Sequence, residues 1–470
     1  MKSAAKTLFL TTLLFCLALP LFAHAETYPY VPMGTDDVRV IEDPRLDIAL
    51  RLALIARAKH TIDVSTYDIR QDNEAGFPIL NALRDAANRG VRVRFAVTWI
   101  SQLLMDNTHV LARYLTSPPT QEPIQVLLWG GTESESDGWS AFDNIHEKLF
   151  VVDGKYALTT GRGFGEVYFY WLDTSFAIKG ALAIETQQMF DHFWDTLAFQ
   201  HSLFGDRLPF SYDWAPHSVP NDVSPDGEKK ADVSQLLTWF DIPANDTSAS
   251  GRALHMNLIE QLSAIAPGNE SSLGSNARVR ALDDPIVDAV SERLKTAQSV
   301  RMDILFAVLH PKLKEALLET AKRPGTSITL LVNTNTPSLT GHEKSPIFPG
   351  GPAWAFEITD IDDLLAAGIK VYRFQTNPTL PWVYVHRKLA VIDDTVFFGS
   401  HNFNLPSTTS NDEASFEIKN PDLARRLSAI FDLSLKTNGS ALDSKRVHSE
   451  RNSFENKFLR MFSSPLEDIL

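Results

Sequence analysis

The sequence predicts an α/β protein of two similar α/β/α halves, each a mainly parallel mixed sheet flanked by helices. The halves are expected to be related by a pseudo-twofold axis with one active site between them. Three observations carry this expectation. Helical and strand periodicities alternate along the chain. The order helix, strand, helix, glycine, strand occurs twice. A polar octet, H-x-K-x-x-x-x-D, also occurs twice: His146, Lys148 and Asp153 in NIHEKLFVVDG, and His386, Lys388 and Asp393 in YVHRKLAVIDD, 240 residues further on.

Taken in order, LDIALRLALIARAKHTIDVSTYDIR sets Leu46, Leu52, Ile55 and Ala58 at helical spacing, then Ile62 and Val64 at strand alternation. FPILNALRDAANRGVRVRFAVTW repeats the scheme as helix, Gly90, strand. In the second half, IVDAVSERLKTAQSVRMDILFAV and PKLKEALLETAKRPGTSITLLVNT do the same, with Gly325 in the place of Gly90. Helices alternating with strands call for sheets covered by helices. Between the halves, residues 206–275 are rich in Pro, Asp and Ser, and read as an irregular connection ordered around Trp214, Trp239 and Phe240. The expected organisation is 26–205 for the first half, 276–440 for the second and 441–470 for a C-terminal tail.

The first residues have a different character. Lys2 and Lys6 precede an apolar run from Leu8 to Phe22, which ends in Ala23-His24-Ala25. That is the pattern of a secretory leader, 1–25, cut after Ala25, and it implies an exported protein, periplasmic or secreted. The single cysteine, Cys16, lies inside the leader, so disulfides and cysteine-held metals are excluded from the mature chain. With 44% hydrophobic residues over 470, the chain has material for two cores. Its formal charge of −14 argues against a partner held by neutralising many phosphates, so nucleic acid is not expected.

Within HEKLFVVD, side chains two apart share a strand face, so His146 and Lys148 are presented together while Leu149 and Val151 anchor the opposite face. One such histidine ordinarily has a structural partner. Two octets in matched settings point instead to one site holding two imidazoles and two ammonium groups, a set suited to a phosphodiester. Lys148 and Lys388 supply localised charge for the non-bridging oxygens. One histidine attacks phosphorus and the other handles the proton of the leaving and entering hydroxyls. No cofactor or metal is expected, since neither H-E-x-x-H nor a carboxylate group at calcium-loop spacing is present. After the second octet, Gly399-Ser400 turns the chain, Ser400 and Asn402 are candidate phosphate donors, and Glu413 is a candidate to orient an imidazole. At the matching place after the first octet, Asp173 takes the part of Glu413, and Gly163 stands where an asparagine is expected.

At these residues the chain resembles the phospholipase D superfamily, marked by a duplicated H-x-K-x4-D followed by G-S-x-N. It is most similar to the bacterial cardiolipin synthase C type and its phospholipase D-like relatives through RLALIARAKHTIDVSTYDI, AANRGVRVRF, GRGFGEVYF, ALDDPIVDAV and FLRMFSSPLEDIL. The resemblance implies two halves around one site, with His146 or His386 as nucleophile and the other as acid and base. It also implies phosphate contacts from Lys148, Lys388 and Asn402, imidazoles oriented by Asp173 and Glu413, and a backbone-holding role for Asp153 and Asp393. It departs from the family at Gly163 and at FAVTW, where the strand usually ends in an acidic residue. Gly163 is expected to leave open space beside His146, which favours His146 as the nucleophile.

The expected activity is transfer or hydrolysis of phosphatidyl groups of membrane phospholipid through a phosphohistidine, by a monomer carrying both octets. Trp354 and Trp382 are candidates for contact with the membrane surface. The competing readings are an exported nuclease or other phosphodiesterase of the same chemistry, and a degenerate binding protein, for which Gly163 is the motive.

Overall fold

The computed structural model describes residues 31–32, 38–70, 72, 74–98, 115, 120–129, 144–204, 278–283, 286–333, 353–375, 384–409 and 411–453. The expected leader, the connection 206–275 and Trp382 lie outside the described residues, as does the side chain of Trp354.

The first half runs β1 (Val31–Pro32), β2 (Val38–Ile41), α1 (Pro44–Arg57), β3 (Thr61–Thr66), α2 (Gly76–Asn88), β4 (Arg92–Thr98) and β5 (Gln125–Trp129). It continues with β6 (Asn144–Ile145), β7 (Leu149–Val152), β8 (Tyr156–Thr160), β9 (Trp171–Leu172), β10 (Ser175–Lys179) and α3 (Ala181–Phe204). Asp43 starts α1 by accepting hydrogen bonds from the Arg45 and Leu46 amides, with Pro44 in the first turn where a missing N–H costs nothing. In α2, Ile79, Leu80, Leu83, Ala86 and Ala87 are fully buried, and Gly90 takes a φ of 89° to turn the chain into β4.

The second half repeats the order as β11 (Arg278–Asp283), α4 (Ile286–Leu294), β12 (Ser299–Phe306), α5 (Pro311–Ala321), β13 (Ser327–Asn333), α6 (Ala353–Ala366) and β14 (Lys370–Phe374). It closes with β15 (Tyr384–Val385), β16 (Leu389–Ile392), β17 (Thr395–Gly399), α7 (Pro406–Thr409), β18 (Asn411–Asp412), β19 (Ala414–Lys419), α8 (Pro421–Asn438), β20 (Gly439–Ala441) and α9 (Ser444–Arg451). Gly325 repeats the part of Gly90, with φ 83°.

The two sheets have one topology. The first is ordered β2-β10-β8-β7-β3-β4-β5, and the second carries β11-β19-β17-β16-β12-β13-β14, with β1 and β20 added at its edges. Because β1 pairs with β11, the N-terminal strand belongs to the sheet of the opposite half. The expectation of mainly parallel sheets is corrected here. Only β3, β4 and β5, and likewise β12, β13 and β14, run parallel, while the other pairings within each sheet are antiparallel. The helix crossovers that impose parallel pairing occur only in the early part of each half. Past the octet, the short turns at Asp153 and Asp393 close hairpins.

Those aspartates explain the end of each octet. Asp153 (φ 53°) and Gly154 (φ 60°) turn the chain from β7 into β8, and Asp393 (φ 52°) does so between β16 and β17. The Asp153 carboxylate accepts from the Lys59, His60 and Thr61 amides, and Asp393 accepts from Gln298 and Ser299. Each therefore pins the start of the neighbouring parallel strand. Both lie at the far end of the strand from the His/Lys pair.

The halves meet through the inner faces of their sheets. Leu149, Val151, Phe176 and Ile178 share one buried cluster with Leu389, Val391, Phe398, Phe416 and Ile418, joined by Leu182 and Phe190 of α3 and Leu423 and Leu427 of α8. At its centre the rings of Phe176 and Phe398 stack with centroids 3.7 Å apart. Two further clusters lie beneath α1 and α2, and beneath α4, α5 and α6. Since the shared cluster draws on both halves, Phe398→Ala should cost about 3–5 kcal/mol. It should lower the urea midpoint of a single transition; loss of one half ahead of the other would contradict a common core.

Candidate active site

Each octet begins on a strand that belongs to the interface. β6 pairs in parallel with β18 of the second half, and β15 pairs in parallel with β9 of the first. The His146 and Glu147 amides both donate to the Asp412 carbonyl (2.9 and 2.7 Å), and the His386 and Arg387 amides to the Leu172 carbonyl (2.8 and 3.2 Å). His146 and Lys148 were expected on one continuous strand. They lie instead in the link between β6 and β7, as His386 and Lys388 do between β15 and β16. The chain leaves one sheet here to reach the other half, so the ladder is interrupted at the functional residues. Two residues not singled out in the sequence hold these links: the Thr98 hydroxyl donates to the Ile145 carbonyl (2.6 Å), and the Asn333 amide brackets Val385 (2.6 and 3.0 Å). Thr98 ends β4, in the FAVTW stretch that lacks the expected acidic residue, and Asn333 ends β13.

The carboxylates are exchanged between halves. His146 Nδ1–H donates to Glu413 of the second half (2.8 Å to Oε1), and His386 Nδ1–H donates to Asp173 of the first (2.7 Å). Both carboxylates are buried and stay ionised. Glu413 is held down at about 2, against the cost of burial, by its hydrogen bond to His146 and the nearby cations, and Asp173 is lowered likewise by His386 and Arg162. Burial lowers His146 to about 4 and His386 to about 3, with the two lysines adding to the effect. The field of Lys388 reaches His146 and that of Lys148 reaches His386, so both octets occupy one electrostatic site.

The two imidazoles differ at Nε2. The Lys388 ammonium donates to His386 Nε2 (2.9 Å) and to the His386 carbonyl (2.8 Å). His146 Nε2 has no hydrogen-bond partner among the described residues, while Lys148 donates to the His146 carbonyl. The His146 side chain is also the more accessible, 12% against 7%. Burial lowers Lys148 to about 8 and Lys388 to about 7.

Two expectations change. Ser400 is fully buried and its hydroxyl donates to Glu413 while accepting from the Ala414 amide (3.0 Å). It positions the carboxylate and is not available as a phosphate donor. Gly163 does not leave open space: a Cβ there would collide with Asp68 Oδ1 and the Tyr168 hydroxyl, which hydrogen-bond each other, with Arg70 on Asp68 at 2.7 Å. Asn402 is buried, its side-chain carbonyl without a hydrogen-bond partner among the described residues and its backbone N–H donating to the Ser407 hydroxyl (3.1 Å).

Other neighbours carried no sequence signal as site residues. Trp171 packs on the His386 ring with centroids 4.4 Å apart, and Tyr67 meets His146 edge-on at 5.5 Å. Arg387, inside the second octet, is fully buried on Asp303 (2.9 Å) and reaches Glu42 of the first half (3.6 Å). Its matching residue in the first octet is Glu147. Among the described residues no cluster of three or more His, Cys, Asp or Glu could hold a metal ion, and no helix is long and apolar enough to cross a membrane.

Comparison with known proteins agrees with this duplicated arrangement. The family described as "Cardiolipin synthase, PLD-like domain" matches residues 52–194 and again 290–434. Cardiolipin synthase C of Escherichia coli K12 is 25% identical over 423 residues, covering 82% of this chain and 81% of that protein. Phospholipase D Y of Dictyostelium discoideum is 21% identical over 420 residues, covering 82% and 86%. The crystal structure of phosphatidylserine synthase from Haemophilus influenzae Rd KW20 shares the fold, with a TM-score of 0.59 at 15% identity over 94% of this chain and 96% of that one.

Since His146 and His386 are lowered to about 4 and about 3, both are neutral above those values, and neither ring should titrate between pH 5 and 8 in the free protein. Histidine ring resonances followed by NMR test this. Added tungstate should move both upward, because an anion beside the rings favours imidazolium.

Proposed function

The chain belongs to the cardiolipin synthase, PLD-like domain family, and from that premise we propose that it transfers or hydrolyses phosphatidyl groups of membrane phospholipid through a phosphohistidine. One observation carries the chemistry. Two imidazoles are clamped at Nδ1 by buried carboxylates, and one of them, His146, has no hydrogen-bond partner at Nε2 among the described residues while it feels the charge of both lysines.

In the proposed reaction the phosphodiester anion lies between Lys148 and Lys388, whose charges stabilise its equatorial oxygens in the transition state. Its entry draws the Lys388 ammonium off His386 Nε2 and favours the imidazolium form of His386. His146 Nε2 attacks phosphorus, forming the N–P bond as the P–O bond to the leaving alcohol breaks. His386 Nε2–H gives that oxygen its proton. The neutral His386 then takes a proton from the entering hydroxyl of water, glycerol or a second lipid, which attacks phosphorus and releases His146. Glu413 and Asp173 hold the tautomers and balance each imidazolium as it forms.

The lipid substrate is supported by the acidic charge of −14, which disfavours long polyanions, and by the names of the similar proteins. Export, for which segment 1–25 is the support, would put the enzyme on the outer side of a membrane, with the bilayer surface as its partner. Purified mature protein incubated with labelled phosphatidylglycerol, phosphatidylethanolamine or single-stranded DNA, with and without glycerol, tests substrate and acceptor together. Turnover of DNA alone would replace the lipid reading with the nuclease.

His146→Ala should lower turnover by about 10³-fold or more, because nucleophile and acid act as a unit. With a leaving group that needs no proton, such as p-nitrophenol, His386→Ala should still form the covalent species and accumulate it. Acid quench and peptide mapping would then find phosphorus on His146; phosphorus on His386 would reverse the two roles.

The pH dependence follows from the lysines. Their pKa values are lowered, so charge is present below about 7 for Lys388 and about 8 for Lys148 and lost above. The kcat/KM should accordingly fall as pH rises through 7 to 8. A rate profile flat into the alkaline range would contradict the electrostatic role given to them.

A further inference from the structure

The halves present unlike residues at two matching positions. Asp153 N donates to the Thr61 carbonyl and Asp393 N to the Ser299 carbonyl, so Thr61 and Ser299 correspond; β12 shifts register between Ile304 and Phe306, and Asn333, which ends β13 as Thr98 ends β4, pairs with Phe306, so the ladder position of Tyr67 is taken by Phe306. Counting onward from β8 and β17 matches Gly163 with Asn402. The first half thus carries Tyr67 and Gly163, and the second carries Phe306, which has no hydroxyl, and Asn402. A polar donor is present once in each half, at opposite positions.

The surroundings fit that exchange. Leu305, at the register shift before Phe306, is buried in an apolar cluster with Tyr168, Trp171 and Val385. The Asp68–Tyr168 pair fills the space an asparagine would need at Gly163. Tyr67 is half-buried, with its ring edge-on to His146 at 5.5 Å and Lys148 Nζ 5.4 Å from its centroid. Its hydroxyl has no hydrogen-bond partner among the described residues. A phenol ring set against both the imidazole and the neighbouring ammonium, its hydroxyl without a partner among the described residues, has a donor to offer a phosphoryl group bound there.

We propose that the Tyr67 hydroxyl donates a hydrogen bond to a non-bridging oxygen of the bound phosphoryl group, supplying in the first half what Asn402 supplies in the second. Tyr67 is then a catalytic residue, and the inference rests on the phosphoryl-transfer reading above. Burial and the neighbouring Asp68 raise its phenol to about 12, so it remains a donor throughout the working range. The departure at Gly163 is a relocation of the donor and not its loss.

The test is tungstate binding to the mature protein by calorimetry, with kcat/KM on bis(p-nitrophenyl) phosphate measured alongside. Tyr67→Phe keeps the ring contacts and removes only the hydroxyl. It should raise the tungstate Kd and lower kcat/KM by about 10- to 100-fold, the effect of one hydrogen bond to a charged acceptor, with an unchanged melting temperature. Tyr67→Leu, which also removes the ring, should be weaker again. If Tyr67→Phe binds tungstate as the parent does while Lys388→Met loses it, the Tyr67 inference is overturned and the site reading stands. If Lys388→Met also binds as the parent does, the phosphoryl site itself is misplaced and both fall.

Discussion

The structure depends on the exchange of carboxylates between halves. Two lysines and two histidines are brought together in one buried site, where desolvation and mutual repulsion oppose every positive charge. Neither half contains the charge that orients its own imidazole: Glu413 serves His146 and Asp173 serves His386. The site is therefore chemically complete only when the sheets are docked. Phe176 stacked on Phe398 and the paired strands β6–β18 and β9–β15 hold them in that relation.

The same exchange explains why the two octets are alike without being equivalent. Glu413 receives the Ser400 hydroxyl, whereas Asp173, one methylene shorter, approaches Gly161 so closely that any side chain there would strike its carboxylate. Behind His386, Arg387 is neutralised by Asp303 and Glu42, and Arg162 donates to the Asp173 carbonyl and to Ser175 (2.8 Å). Lys388 caps His386 Nε2 while the Nε2 of His146 has no hydrogen-bond partner among the described residues. A pseudo-symmetric frame thus gives two chemically different imidazoles, as the proposed division into nucleophile and proton carrier requires.

Placement of the His/Lys pairs follows from where regular structure stops. Each octet is a backbone device with two ends. Its aspartate, at positive φ, ties the hairpin to the start of the parallel strand, and its His/Lys pair occupies the link that crosses to the other half. The intervening apolar residues, Leu149–Val152 and Leu389–Ile392, are buried on both faces and fix the distance between them. The turn anchors the strand so that its opposite end is held firmly where chemistry is proposed.

The sequence by itself determined the duplication, the alternation of helices and strands, the turns at Gly90 and Gly325, and the polar groups His146, Lys148, His386, Lys388, Asp173 and Glu413. These are written in local periodicity, in backbone conformations open chiefly to glycine, and in a repeated spacing, all of which are short-range properties. Tertiary structure alone decided the pairing of each carboxylate with the opposite histidine, the reassignment of Ser400, the crowding at Gly163 and the neighbours Tyr67, Trp171 and Arg387. It also decided that most strand pairs run antiparallel, because the turns at Asp153 and Asp393 mark only one hairpin in each half and the other neighbours are set by packing. A contact between residues 267 apart, such as His146 with Glu413, has no local signature. It exists because two sheets bury their inner faces against each other, and that burial sets which groups meet.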